Sequence, residues 1–197
     1  MNEQSIPPKL PQMPRPEETA GFGVRLGARI LDHLFCIVMI IPSTIIGVII
    51  TRGFDIGRFS GHSTSGAMIL SFLLSSLGVF LYFLVCESKY GVTVGKKMLK
   101  LRVVSQDLSG PTFTGALIRN LFYIVDAVVF GLVAFLVMRF SQWNQRVGDI
   151  LGKTVVLKEE SVPFEQRDQG QSAKKAILWA TLILVIFQTL GIIVKRL

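Results

Sequence analysis

Charge is scarce in this 197-residue chain: Asp, Glu, Lys and Arg make up 17% of it, against about 25% in ordinary soluble domains, while half of it is apolar. That composition suits an integral membrane protein. Cysteine is nearly absent. Cys36 and Cys86 both lie inside apolar runs, so neither a disulfide framework nor a paired-Cys metal site is available, and both read as packing residues. Acidic residues number 13 against 21 Lys and Arg, a formal charge of +8. Such an excess could suggest nucleic acid, but the basic residues cluster beside apolar runs rather than interleaving with aromatics. An anionic cytoplasmic leaflet is the expected partner, and nucleic acid is not. No HExxH or GxSxG occurs, and GVTVGKK from Gly91 has three residues between its glycines, not four, with no Ser or Thr for Mg²⁺. No enzyme, catalytic residue, metal site or cofactor is expected.

What the chain does contain is long apolar segments. The first, Gly27 to Ile50, would extend roughly 36 Å as a helix, enough to cross a bilayer core of about 30 Å. Pro42 falls inside it beside Ser43 and Thr44, so a mild kink is predicted. The second, Ala67 to Cys86, is the clearest span; its Ser71, Ser75 and Gly78 recur at i, i+4 and i+7 and form a small-residue stripe suited to close helix packing. The third, Asn120 to Met138, is short and carries Asp126, and the last runs from Ala176 to Val194. Two short β-branched runs, LRVV from Leu101 and TVVL from Thr154, flank the third segment. The first twenty residues are polar and Pro-rich with no signal-like apolar stretch, and are expected to form a disordered cytoplasmic tail.

Short cytoplasmic loops collect Lys and Arg. If the tail is inside and Asn120 to Met138 crosses once, the count is 12 inside against 9 outside; if that segment turns back near Gly131, it is 17 against 4. Turning back also puts LRVV and TVVL on one face, where they can pair. The expected fold is an all-α integral membrane protein: about three full transmembrane helices, one short or re-entrant helical hairpin, and a small cytoplasmic β pairing. Residues 1–20 are the tail, 21–158 the main transmembrane domain, 159–175 a polar linker, and 176–197 an additional C-terminal transmembrane helix.

Charges inside apolar segments are the candidate functional residues, because they are costly there unless paired or hydrated. In RLGARILD, Arg25 and Asp32 lie seven residues apart and share a helix face, with Arg29 between them. Asp32 has three options: pairing with Arg25 or Arg29, pairing with Arg119 or Arg146 from elsewhere, or staying protonated. RNLFYIVD, Arg119 to Asp126, repeats the pattern, and VGKKMLKLRVV from Val94 is echoed by VGDILGKTVV from Val147, one residue shorter. That echo suggests an internal duplication. Arg146 and Asp149 are three apart and close enough to pair, with a solvated cap as the plainer reading; Trp143 suits the membrane interface, and His33 reads as a helix-contact residue. Asp32, Asp126 and Asp149 are thus candidate cation- or proton-binding carboxylates, and Arg25, Arg29, Arg119 and Arg146 candidate charge-pairing arginines.

The ordered set of RLGARILD, VGKKMLKLRVV, Arg119-Asn with Asp126, and NQRVGD followed by GKTVV resembles the RDD family of membrane proteins over about residues 21 to 158. By position, Arg25 and Asp32 match the family's arginine and first aspartate, and Asp149 or Asp126 the second. The resemblance implies a small multi-pass protein of the cell membrane with a cytoplasmic N-terminus, with cation/proton antiport attributed to some members and scaffolding of membrane complexes to others. Two readings follow. One is a secondary transporter exchanging a monovalent cation for a proton, requiring a homo-oligomer to enclose a path; the other is a non-catalytic scaffold or assembly factor whose Arg/Asp pairs are structural.

Overall fold

The computed structural model describes residues 14–53, 65–128, 131–162 and 170–196. Most of the expected tail, the loop after the first span, and the middle of the 159–175 linker lie outside the described residues. The chain is mostly helical, with one two-stranded sheet. Among the described residues, three helical stretches are long and apolar enough to cross a membrane: Phe22–Arg52, Ser65–Tyr90 and Ala173–Val194. Large side chains such as Phe72 and Leu178 stand about 70% exposed on them, an apolar exterior that fits lipid rather than water.

The first stretch is two helices, α1 (Phe22–Val38) and α2 (Ile40–Gly53). Pro42 has no N–H to give the Val38 carbonyl, and the helix breaks at Met39, earlier than a kink centred on the proline would place it. Side chains brace the backbone around the break. Ser43 Oγ lies 2.7 Å from the Met39 carbonyl and 3.0 Å from Gln188 Oε1, and Gln188 Nε2 donates to the Cys36 carbonyl at 3.2 Å. Gln188 belongs to α8 (Gly170–Arg196), which runs antiparallel along α3 (Ser65–Tyr90). The Ser71–Ser75–Gly78 stripe is where they touch: Gly191 sits against Ser71 and Ser75, and Gly78 against Phe187. Nearer the start of α8, Ala173, Ala176 and Ala180 are buried as well, Ala180 against Tyr82, Phe83 and Cys86.

After α3 come the short helix α4 (Val94–Met98) and strand β1 (Leu101–Ser105); then α5 (Phe113–Val128), α6 (Leu132–Phe140), α7 (Val147–Leu151) and β2 (Thr154–Lys158). Between α5 and α6, Gly131 adopts φ +78°, a left-handed conformation that glycine takes without strain, and its N–H donates to the Asp126 carbonyl at 2.7 Å. β1 and β2 pair antiparallel, with Val103 opposite Val156. A segment that starts at β1 and returns to β2 is an out-and-back excursion, and α7 accordingly packs beside the start of α5. The chain before α1 joins the same assembly: Ala20 N–H donates to the Val156 carbonyl at 2.9 Å, and Thr19 bridges Leu157. Trp143, partly buried, packs on the cluster of Val104, Val155, Leu157 and Val162.

The repeat seen in sequence has a structural counterpart. A shift of 53 residues carries α4 onto α7 and β1 onto β2. It also turns the pair Leu101–Lys158 into Ser105–Thr154 and leaves Val103–Val156 in place, which is two-fold symmetry about the sheet centre. Lys100 and Lys153, equivalent under the shift, both take left-handed φ values, +53° and +50°. The two phrases therefore correspond without the one-residue gap read from sequence.

Candidate functional site

The inward face of α1 presents Arg25, Arg29 and Asp32 toward the sheet end of the bundle, and α5 presents Arg119 and Asp126. Asp149 on α7, fully buried, is where these elements meet. Arg25 Nη1 reaches its Oδ2 at 2.5 Å, Arg119 Nη1 its Oδ1 at 2.8 Å, and Arg146 Nη2 its Oδ1 at 3.7 Å. The Arg146 backbone N–H also donates to Oδ2 at 3.2 Å. The two arginines that open the echoed phrases thus grip one carboxylate between them. Burial alone would raise the Asp149 pKa, but Arg119, Arg146 and Arg25 outweigh it and hold the carboxyl below the ordinary range. A solvated Arg146–Asp149 cap is thereby corrected to a buried one.

A second centre adjoins the first through Arg119. Its Nε donates to Glu87 Oε2 at 3.2 Å and its Nη1 to Thr154 Oγ1 at 2.9 Å, while the other Glu87 oxygen pairs with Lys96. Burial pushes the Lys96 ammonium down to about 8, against the pull of Glu87. Glu87 and Lys96 were missed by the sequence reading. The available signal was that Glu87 directly follows the apolar run ending at Cys86, where an ionised group needs a partner.

Asp32 takes none of the arginine partners considered for it. Its Oδ2 accepts from Thr93 Oγ1 at 2.6 Å and its Oδ1 from Gly95 N–H at 2.7 Å and Tyr82 OH at 3.3 Å. These bonds tie α1 to the start of α4, where Thr93 is the N-cap and accepts from Lys96 N–H. Gly95 makes the approach possible, since a Cβ there would collide with the Ala28 carbonyl. Gly148 faces Arg119 and Phe122 in the same way in the second half.

Arg29 differs from the other candidate arginines: no carboxylate among the described residues lies within ion-pair distance. Its guanidinium is sandwiched instead between Phe83 and Tyr123, 3.6 Å from each ring centroid. His33 leans on the same rings and donates from Nδ1 to the Arg29 carbonyl at 2.8 Å. Asp126 meets Arg146 Nη1 at 3.4 Å through Oδ2, and its Oδ1 is buried without a protein partner. Among the described residues no cluster of three His, Cys, Asp or Glu could hold a metal ion. Charge neutralisation and helix clamping are what this arrangement supplies most directly.

Three membrane-length helices among the described residues, a two-fold pair of helix–strand units and a carboxylate gripped by arginines from α1 and α5 define a multi-pass helical membrane protein. The chain belongs to the RDD family, whose sequence profile matches residues 19–153. It is similar to the uncharacterized protein YxaI of Bacillus subtilis (strain 168), at 29% identity over 153 residues, 72% of this chain and 98% of that protein. No solved structure matches it. The family match ends just before β2, and α8 lies beyond it.

Proposed function

We propose that this protein is a non-catalytic scaffold or assembly unit of the cell membrane, with the Arg/Asp network serving as its internal clamp. The observation that carries this reading is the burial of Asp149 among Arg25, Arg119 and Arg146. A carboxylate so fully compensated is poorly placed to exchange its partners for a passing cation. In this reading the N-terminus, the sheet, α4 and α7 lie on the cytoplasmic side against an anionic leaflet, and α5 with α6 dips into the bilayer as a re-entrant hairpin. The bias of 17 Lys and Arg inside against 4 outside supports that orientation.

One observation favours a second reading, exchange of a monovalent cation for a proton by a homo-oligomer: Asp126 carries a buried oxygen with no protein partner and lines a cavity. Reconstituted vesicles separate the two. A scaffold leaves an imposed pH gradient intact when Na⁺ or K⁺ is added, and Asp32→Asn lowers protein level or partner recovery. Gradient collapse that Asp32→Asn or Asp126→Asn abolishes at unchanged protein level rejects the scaffold.

A further inference from the structure

The cavity beside the clamp lies between α1, α5 and α6 and has a volume of about 250 Å³. Its wall combines the guanidiniums of Arg25, Arg29 and Arg146 and the Asp126 carboxylate with apolar side chains, Phe22 and Met138 among them. Arg25 Nη2, Arg29 Nε and Arg146 Nε are buried donors with no hydrogen-bond partner in the protein, and Asp126 Oδ1 is a buried acceptor in the same condition. Native structures leave few such groups, and here four occur on residues lining one cavity.

The charges around it do not balance. Arg25, Arg119 and Arg146 share Asp149, Arg146 also serves Asp126, and Arg119 and Lys96 share Glu87. Arg29 adds a fifth cation with only aromatic faces against it. Counting Asp32 as a fourth carboxylate still leaves one positive charge in excess. A buried cluster with surplus guanidinium is completed by an anion, not by a further cation.

We propose that this cavity binds a phosphoryl anion that also carries an O–H donor. Its anionic oxygens accept from the guanidiniums of Arg25, Arg29 and Arg146 that line the cavity, the planar donors best matched to phosphate, and its hydroxyl donates to the Asp126 carboxylate. The donor is required because a bare anion beside the Asp126 carboxylate would be repelled. The volume falls below the roughly 300–1,000 Å³ typical of drug-sized ligands, so the occupant is of headgroup size. Two sources carry this chemistry: the headgroup of a hydroxyl-bearing phospholipid, whose chains would continue along Phe22 and Met138, and free hydrogen phosphate. The site extends beyond the scaffold reading and holds whether or not the protein transports anything.

The full chain, purified and delipidated, is placed in nanodiscs of phosphatidylcholine alone, of phosphatidylcholine with phosphatidylglycerol, or of phosphatidylcholine with inorganic phosphate or sulfate added. The readouts are the thermal midpoint and the bound anion counted by native mass spectrometry. Phosphatidylglycerol or phosphate is expected to raise the midpoint and remain bound at one per chain. A response to phosphatidylglycerol alone assigns the lipid source, and a response to phosphate assigns the free anion. Arg29→Gln, which breaks no ion pair, should abolish the shift. Met138→Trp, which fills the cavity and leaves the ionic network intact, should abolish it independently. Equal midpoints in all four conditions, a sulfate response equal to that of phosphate, or full responses in both variants would overturn the proposal.

Discussion

Replacing Asp149 with Asn removes one negative charge and little volume, and the structure sets how much that should matter. Asp149 is fully buried, with Arg25 at 2.5 Å, Arg119 at 2.8 Å and Arg146 at 3.7 Å. The Asn side chain can accept through one oxygen only, and its NH₂ faces guanidinium donors. Removing one member of a buried ion pair costs about 3–5 kcal/mol, because the partner charge is left uncompensated. For a chain of this size each kcal/mol moves the midpoint by about 2–4 °C, giving a loss of roughly 6–20 °C. Fluorescence-detected size exclusion of heated, detergent-solubilised protein reads that loss as a falling monodisperse peak. The pH dependence has a defined sign. Because the folded pKa of Asp149 is depressed, the unfolded chain binds the proton first, so its stabilisation is complete above about pH 4 and is lost as pH falls further. Asp149→Asn should lack that component. A variant melting within about 2 °C of the parent, less than one kcal/mol on the same scale, would refute the clamp.

Three other outcomes follow from the geometry. A cysteine at the exposed position Glu160, in a background without Cys36 and Cys86, should react with a membrane-impermeant maleimide only after the cells are opened; labelling of intact cells contradicts the re-entrant hairpin. Gly95→Ala should cost about 1–3 kcal/mol through overpacking, since the methyl collides with the Ala28 carbonyl and separates Asp32 from its N–H donor, whereas Gly23→Ala, with nothing within 4 Å, should be neutral or slightly stabilising in the same thermal assay. Lys96, followed by NMR of ¹³C-methylated protein, should titrate near 8, below the roughly 10.4 of an unfolded chain. Between those values the unfolded chain holds the extra proton, so the Lys96 contribution to stability rises with pH; Glu87→Gln should lower the midpoint further, and a parent midpoint near 10 contradicts its burial.

The apolar runs reveal the spans because a bilayer demands about twenty apolar residues per helix, and the Lys and Arg count favours turning the third segment back. The Ser71–Ser75–Gly78 stripe indicates where a helix can approach, but not that α8 would be the one. Its contacts there, Phe187 and Gly191, carry no mark in the sequence that pairs them with it. The break at Met39 was displaced from Pro42 because the lost hydrogen bond falls at the carbonyl four residues earlier. Partner choice among the charges was the least legible. Sequence spacing places Arg25 and Asp32 on one helix face, yet their partners lie at Asp149 and at Thr93 with Gly95, through contacts that exist only once α4 and α7 fold against α1 and α5. Arg29 carries no sequence signal for its sandwich, since Phe83 and Tyr123 come from two other helices.

The central claim, that Asp149 clamps the first half of the chain to the second, is tested most directly by a double-mutant cycle of Arg25→Gln, Asp149→Asn and the pair, measured as unfolding free energies. Each single change should destabilise strongly. In the Asp149→Asn background, Arg25→Gln should cost little, because it removes a guanidinium already left without its counter-ion. The predicted coupling exceeds about 1.5 kcal/mol, as for close charge pairs elsewhere. Additivity within about 0.5 kcal/mol would show that the two residues act separately and would contradict the clamp.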